Sequence, residues 1–356
     1  MRIRGAVAAL LAPAIAPAAV ARAAPALDCP AGTRQQRQFY ADEFWCARPD
    51  GTRHGPYWNG WTSPIEAGAY RDGKRDGWWR RWSGGVLVDE RRYDRDREDG
   101  RARTWSDKGV LLSDGVMSRG KEVGLWRRWH QNGHLASMGR YRRGQRVGRH
   151  RTWTIDGDPA SDGRYHNDEQ EGLWVERDEY GETGGHGSYR RGTYQGRWTF
   201  TYEGKRRAAG SFRNGLREGA WTFYWDDGSI KERGRYRRGR RDGTWTFHDY
   251  EKHDAVSAGC RKGEPHGRVV WRSDEGGNDV PRGFRIVAHF ARGSLDGPWT
   301  ERYPAGTRAD WVHRGVYRDG LLVRGEELDD NPLGIEDGDA LRLCSDDDDL
   351  PGQNGQ

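Results

Sequence analysis

A period of 23 or 24 residues constrains this chain more than any other feature. Tyr70, Tyr93, Met117, Tyr141, Tyr165, Tyr189, Phe212, Tyr236 and Cys260 follow one another at that interval. Seven residues after each stands a glycine: Gly77, Gly100, Gly124, Gly148, Gly172, Gly196, Gly219, Gly243 and Gly267. Two residues further on come Trp79, Trp126, Trp174, Trp198, Trp221 and Trp245. Three residue types held in register over so many periods mean a repeat array, in which each unit buries its apolar face against its neighbours. Composition agrees. Hydrophobic residues make up 34% and charged residues 32%, so a large aliphatic core is excluded, yet 18 Trp, 15 Tyr and 52 Gly are unlike a solvated, disordered chain. The core of such a chain must be thin, aromatic and continuous.

Each unit reads as a hairpin. In Trp198-Thr-Phe200-Thr-Tyr202 and Trp221-Thr-Phe223-Tyr-Trp225 the odd positions are aromatic, which places the rings on one face of a strand. Asn132-Gly133, Asp156-Gly157 and Asp227-Gly228 follow such strands and predict type I′ turns. The return strand carries Gly-x-Tyr, as in Gly139-Arg-Tyr141 and Gly234-Arg-Tyr236. There the glycine leaves room for an aromatic from a neighbouring strand. The chain leaves through Arg-Arg-Gly, as at Arg237-Arg238-Gly239, into the next unit.

The motif Gly-x-Tyr-x-x-Gly-x-x-x-Gly-x-Trp, recurring from residue 51 to about 325, resembles the MORN repeat (membrane occupation and recognition nexus) in its bacterial variant, the YwqK-like antitoxin family. Two positions depart from the eukaryotic pattern: Glu232 and Ala208 stand where a tyrosine opens many units, and the later Gly-x-Gly becomes Gly-x-Trp. The resemblance implies an all-β fold, an extended twisted antiparallel sheet of successive hairpins with about eleven units.

The ends differ from the middle. Residues 1–23, with Arg2 and Arg4, an apolar run and Ala21-Arg22-Ala23, read as a cleaved export signal. Residues 24–60 form an N-terminal cap and first partial repeat, 61–328 the array with an irregular insertion near 274–285, and 329–356 an acidic mobile tail. Cys29 and Cys46 are expected to form a disulfide closing a loop worth about 3 kcal/mol in the chain-entropy model. Cys260 and Cys344 are left open between a second bridge and free thiols.

Motifs that carry chemistry are few. Gly68–Lys74 and Gly115–Lys121 outline a phosphate loop, but Arg75 and Glu122 stand where it needs a hydroxyl, and both are the repeat's own glycines. No metal-ligand spacing or nucleophile motif is present, so neither cofactor nor metal is expected, and the chain is read as not an enzyme. The pairs Arg142-Arg143, Arg190-Arg191 and Arg237-Arg238 recur at equivalent places. They are read first as cover for the aromatic face paired with nearby acids, and in a sharper form as a binding ladder for an anionic polymer. The expected function is therefore an exported scaffold, periplasmic or extracellular, that binds a protein or envelope component by its sheet face or edge. Nucleic acid is not the expected partner, and no transmembrane segment follows the signal. The rival readings are an antitoxin-like neutraliser of a partner toxin and an envelope hydrolase with an unrecognised site.

Overall fold

The structure is a computed structural model, and it describes residues 26–38, 42–60, 65–178, 182–248, 254–273, 282–304, 312–326 and 343–345. The expected export signal, the core of the expected insertion (274–281) and the expected tail other than 343–345 lie outside the described residues. Among the described residues all regular structure is β, with twenty-eight strands, antiparallel pairing and no helix. The chain divides into two compact units between Gln145 and Arg146. Each is a run of hairpins in which successive strands pair.

The repeating glycines explain how a single sheet can bury its own aromatics. In Leu216–Tyr224, Gly219 has φ 76°, and Gly219-Ala220-Trp221 stand opposite Gly210 alone between the pairs Ser211↔Glu218 and Ala209↔Thr222. This bulge of three residues against one bends the strand and turns the Trp221 indole across the facing glycine. A Cβ at Gly210 would lie inside that indole, and the same holds for Gly115 under Trp126, Gly163 under Trp174, Gly187 under Trp198 and Gly234 under Trp245. Each indole Nε1–H then donates to the carbonyl of the residue after that glycine: Trp126 to Val116, Trp174 to Arg164, Trp198 to Ser188, Trp221 to Ser211 and Trp245 to Arg235, at 2.9–3.2 Å. The tyrosine positions close the aromatic row edge to face. Tyr165 lies 5.0 Å from Trp174, Tyr189 5.2 Å from Trp198 and Tyr236 5.0 Å from Trp245, ring centre to ring centre.

The turns are arranged differently from expectation. Asn132, Asp156 and Asp227 keep negative φ, and only Gly133, Gly157 and Gly228 are left-handed. Gly133 N–H donates to His130 C=O and His130 N–H to His134 C=O, both at 2.9 Å, which is a type I turn followed by a glycine bulge instead of type I′. The side chain decides it: Asn132 Oδ1 accepts from His134 N–H at 3.0 Å and Asp227 Oδ1 from Ser229 N–H at 2.8 Å, a bond that holds the Asx residue in the right-handed region. The type I′ geometry lies at the opposite end of each hairpin, where both central residues are left-handed, as in Arg119-Gly120, Arg143-Gly144, Arg191-Gly192 and Arg238-Gly239.

In the first unit the aromatic row runs through Phe44, Tyr57, Trp79 and Trp126, with Ala102 at one Trp position. The Cys29–Cys46 disulfide, with Cα atoms 5.5 Å apart, ties residues 26–33 to the first hairpin. In the second unit the row is denser, and Trp198, Trp221, Trp245 and Trp299 are fully buried. Its array continues past the expected insertion, since Ser273 N–H donates to Phe284 C=O at 3.0 Å and Glu264–Ser273 pairs with Arg285–Ala291. The second pair of cysteines, left open by the sequence, is joined as Cys260–Cys344. Where a mobile tail was expected, residues 343–345 are held by that bridge and by Arg241 Nη1, which donates to Leu343 C=O at 2.8 Å.

Candidate binding surfaces

Two arginine series serve different ends. One stands two residues before the bulge glycine and faces inward: Arg53 and Arg75 in the first unit, Arg146, Arg217 and Arg241 in the second. Its guanidinium groups stack on the aromatic row, Arg75 4.4 Å from the Trp79 ring centre, Arg146 4.0 Å from Tyr165 and Arg241 4.3 Å from Trp245. Most also meet an acid: Arg53 with Glu43 at 2.9 Å, Arg75 with Glu66 at 3.7 Å and the buried pair Arg241–Glu232 at 3.0 Å. These residues build the core. The sequence reading missed them, although their constant offset from the glycine is visible in the period.

The other series is the expected ladder, and it lies at the tight turns. Arg142 and Arg143 in the first unit, and Arg190, Arg191, Arg237 and Arg238 in the second, are all exposed. Arg143, Arg191 and Arg238 occupy the first central position of their turns at φ 56°, 52° and 54°. The turns stack by backbone contacts: Gly192 N–H donates to Gln170 C=O and Gly239 N–H to Arg217 C=O, at 3.0 and 2.9 Å. Acids of the preceding unit cap the arginine N–H groups, Glu171 for Arg191 and Glu218 for Arg238, at 3.0 and 2.9 Å. Lys262 and Arg292 hold the same turn position and extend the basic row of the second unit. They too stand two residues after the repeat's aromatic position, at Cys260 and Phe290.

On the face away from the indoles, the second unit carries a groove of about 1110 Å³. Small residues Ser211, Ala209, Ala220, Thr199 and Thr222 form its base, and Leu173, Val175, Arg197, Arg206, Arg213 and Tyr224 contribute larger side chains. Leu173 is 80% exposed and Val175 49%, so apolar surface and arginine lie together in open solvent. On the indole face of the same unit a smaller cavity of about 430 Å³ is lined by Tyr165, Trp174, Tyr194, Phe200, Gln170 and Glu176.

Comparison with known proteins matches two copies of the repeat. Residues 122–143 and 217–238 match the family model of the MORN repeat variant. Those segments run from the end of a tight turn through bulge glycine, indole strand and return strand to the next basic turn, so the match covers most of one period in each unit. No curated protein matches the chain. Among solved structures, a Tc holotoxin pore of Photorhabdus luminescens aligns with 81% of this chain and 16% of that chain, at 11% identity and a TM-score of 0.17. At that score the likeness carries no argument about fold or role. The described residues hold no helix long and apolar enough to cross a membrane and no cluster of three or more His, Cys, Asp or Glu placed to hold a metal.

Proposed function

We propose that this chain is an exported, non-catalytic repeat scaffold that binds a protein partner through the outer face of its second unit. The observation that carries the reading is the groove of about 1110 Å³ in which Leu173 and Val175 stand exposed beside Arg197, Arg206 and Arg213. Apolar anchors beside arginines over a rigid sheet are what a protein interface is built from. MORN repeats suit such a role, because the array fixes side chains at regular spacing. The two disulfides support an oxidising compartment, periplasmic or extracellular. The exposed basic turns add long-range attraction toward an acidic partner or envelope polymer. A second reading, an antitoxin-like neutraliser that binds a toxin in the same groove, draws on the family resemblance and differs only in the partner.

The test is capture by the immobilised full chain from envelope and cytosolic extracts, at physiological salt and at about 1 M salt, where screening shortens to about 3 Å. One protein retained at both salts, and lost from an Ala209→Tyr variant that fills the groove, supports the scaffold. A toxin retained in that way selects the antitoxin form. Retention of salt-labile anionic polymer alone, unaffected by Ala209→Tyr, overturns the groove and leaves the basic turns as the binding element.

A further inference from the structure

The indole face of the second unit repeats one arrangement with an interruption. Two residues after each indole, Phe200, Phe223 and Phe247 lie against Trp198, Trp221 and Trp245, with ring centres 5.7, 5.9 and 6.1 Å apart. After Trp174 that place belongs to Glu176, in the repeat before it to Thr152 and after Trp299 to Glu301. Across the sheet, Gly185 contributes no side chain. Loss of the ring opens the cavity of about 430 Å³, walled by Tyr165, Trp174, Tyr194 and Phe200, with Glu176 and Gln170 as its inner polar groups and Arg177 and Asp178 also lining it.

The inward arginine series is broken at the same place. It runs Arg146, then Gln170 and Tyr194, then Arg217 and Arg241, always two residues before the bulge glycine. Five other inner-face carboxylates have their cation: Glu43 has Arg53, Glu66 has Arg75, Glu90 has Arg80 and Arg103, Glu122 has Arg128 and Glu232 has Arg241, all within 3.7 Å, whereas the buried Glu301 after Trp299 forms no such pair among the described residues. Glu176 forms no such pair among the described residues. Its oxygens accept from Tyr189 Oη, 3.0 Å from each, and from Gln170 Nε2 at 3.0 Å. Burial holds its pKa above the ordinary value, against the opposing effect of those two donors.

The geometry points to a binding site for an organic cation, an alkylammonium or guanidinium group, that enters between Tyr165, Tyr194 and Phe200 and pairs with Glu176. The ligand takes the place that an internal arginine takes in other repeats. Aromatic faces attract the cation while the carboxylate fixes its position. The site lies on the indole face and does not depend on what the outer groove holds.

The experiment is calorimetric titration of the full chain with agmatine, Nα-acetyl-lysine methylamide and tetramethylammonium, with the neutral Nα-acetyl-norleucine methylamide as control. Saturable binding of the cations and none of the control is expected. Glu176→Gln should weaken binding by about tenfold or more, as loss of a charge-assisted contact does. Two further variants separate binding from folding. Glu176→Phe restores the ring of the following repeats, and Gln170→Arg restores the internal cation; both should keep or raise the melting temperature while binding disappears. A lysine-containing peptide that outcompetes the free amines by tenfold or more identifies a protein side chain as the source, and the reverse order a small amine. Absence of saturable binding, equal binding of the norleucine control, or unchanged binding in Gln170→Arg overturns the site.

Discussion

Glu176 is the residue whose environment runs most clearly against its own stability. With a pKa above its ordinary 4.5 in the folded chain and near it in the unfolded chain, the folded state holds its proton more tightly. Stability from this group is full at low pH and falls as pH rises from about 4.5 through the folded pKa, because deprotonation leaves a carboxylate in a partly buried aromatic site. Glu176→Gln should therefore melt higher than wild type at pH 7, with the gap closing at pH 4. An equal difference at both pH values would remove the carboxylate's titration as the cause. The opposite sign is expected at Gly210. There Ala would drive a methyl into the Trp221 indole, and the ring must shift from its bond to Ser211 C=O. The expected loss is about 1–3 kcal/mol for overpacking, read by chemical denaturation. The glycine and indole were legible because period and chemistry coincide. The carboxylate was not, because it carries no motif, and it stands out only when the residue two places after each indole is compared across units.

Within one hairpin the two ends obey different rules, and only one was visible beforehand. An Asx-Gly pair is compatible with both a two-residue and a three-residue loop, and the Asn132 and Asp227 side-chain bonds select the longer one. At the other end Arg191 and Arg238 adopt left-handed backbone that a sequence reader assigns to Asn or Gly, because the Gly192 and Gly239 bonds to the preceding unit fix the turn regardless. Left-handed backbone costs a non-glycine residue about 1–2 kcal/mol, less for Asn. Arg238→Asn should thus stabilise the second unit by a few tenths to about 1 kcal/mol, measured as a shift in denaturation midpoint. If the same substitution also reduces retention of anionic polymer, the basic turn contributes to binding. Glu218→Ala should lower stability by about 0.5–1.5 kcal/mol, the net value of a hydrogen bond, because it uncaps the Arg238 N–H. The two effects are coupled at one turn, so the double variant should not be additive.

Repeat arrays draw stability from nearest neighbours, so a distant covalent link changes their behaviour in a defined region. Cys260–Cys344 spans 84 residues, and the chain-entropy model gives a loop of that length about 4–5 kcal/mol. The bridge secures residues 343–345 where Cys344 is buried and Arg241 reaches Leu343 C=O. Arg241 in turn pairs with Glu232 and stacks on Trp245, so loss of the tether exposes a buried ion pair within the aromatic row. Cys344→Ser should therefore raise amide hydrogen exchange first in Gly243–His248 and Asp254–Arg261, by tenfold or more if at least about 1.4 kcal/mol of local stability is lost. Lys121–Trp129, in the first unit, should exchange as in wild type. A uniform rise over both units would mean that the chain unfolds as one cooperative body and that nearest-neighbour coupling is the wrong description. A change confined to the strands around Cys260 would show that the disulfide acts as a local clamp, added in the repeat where the Trp position after Gly267 is filled by Val269.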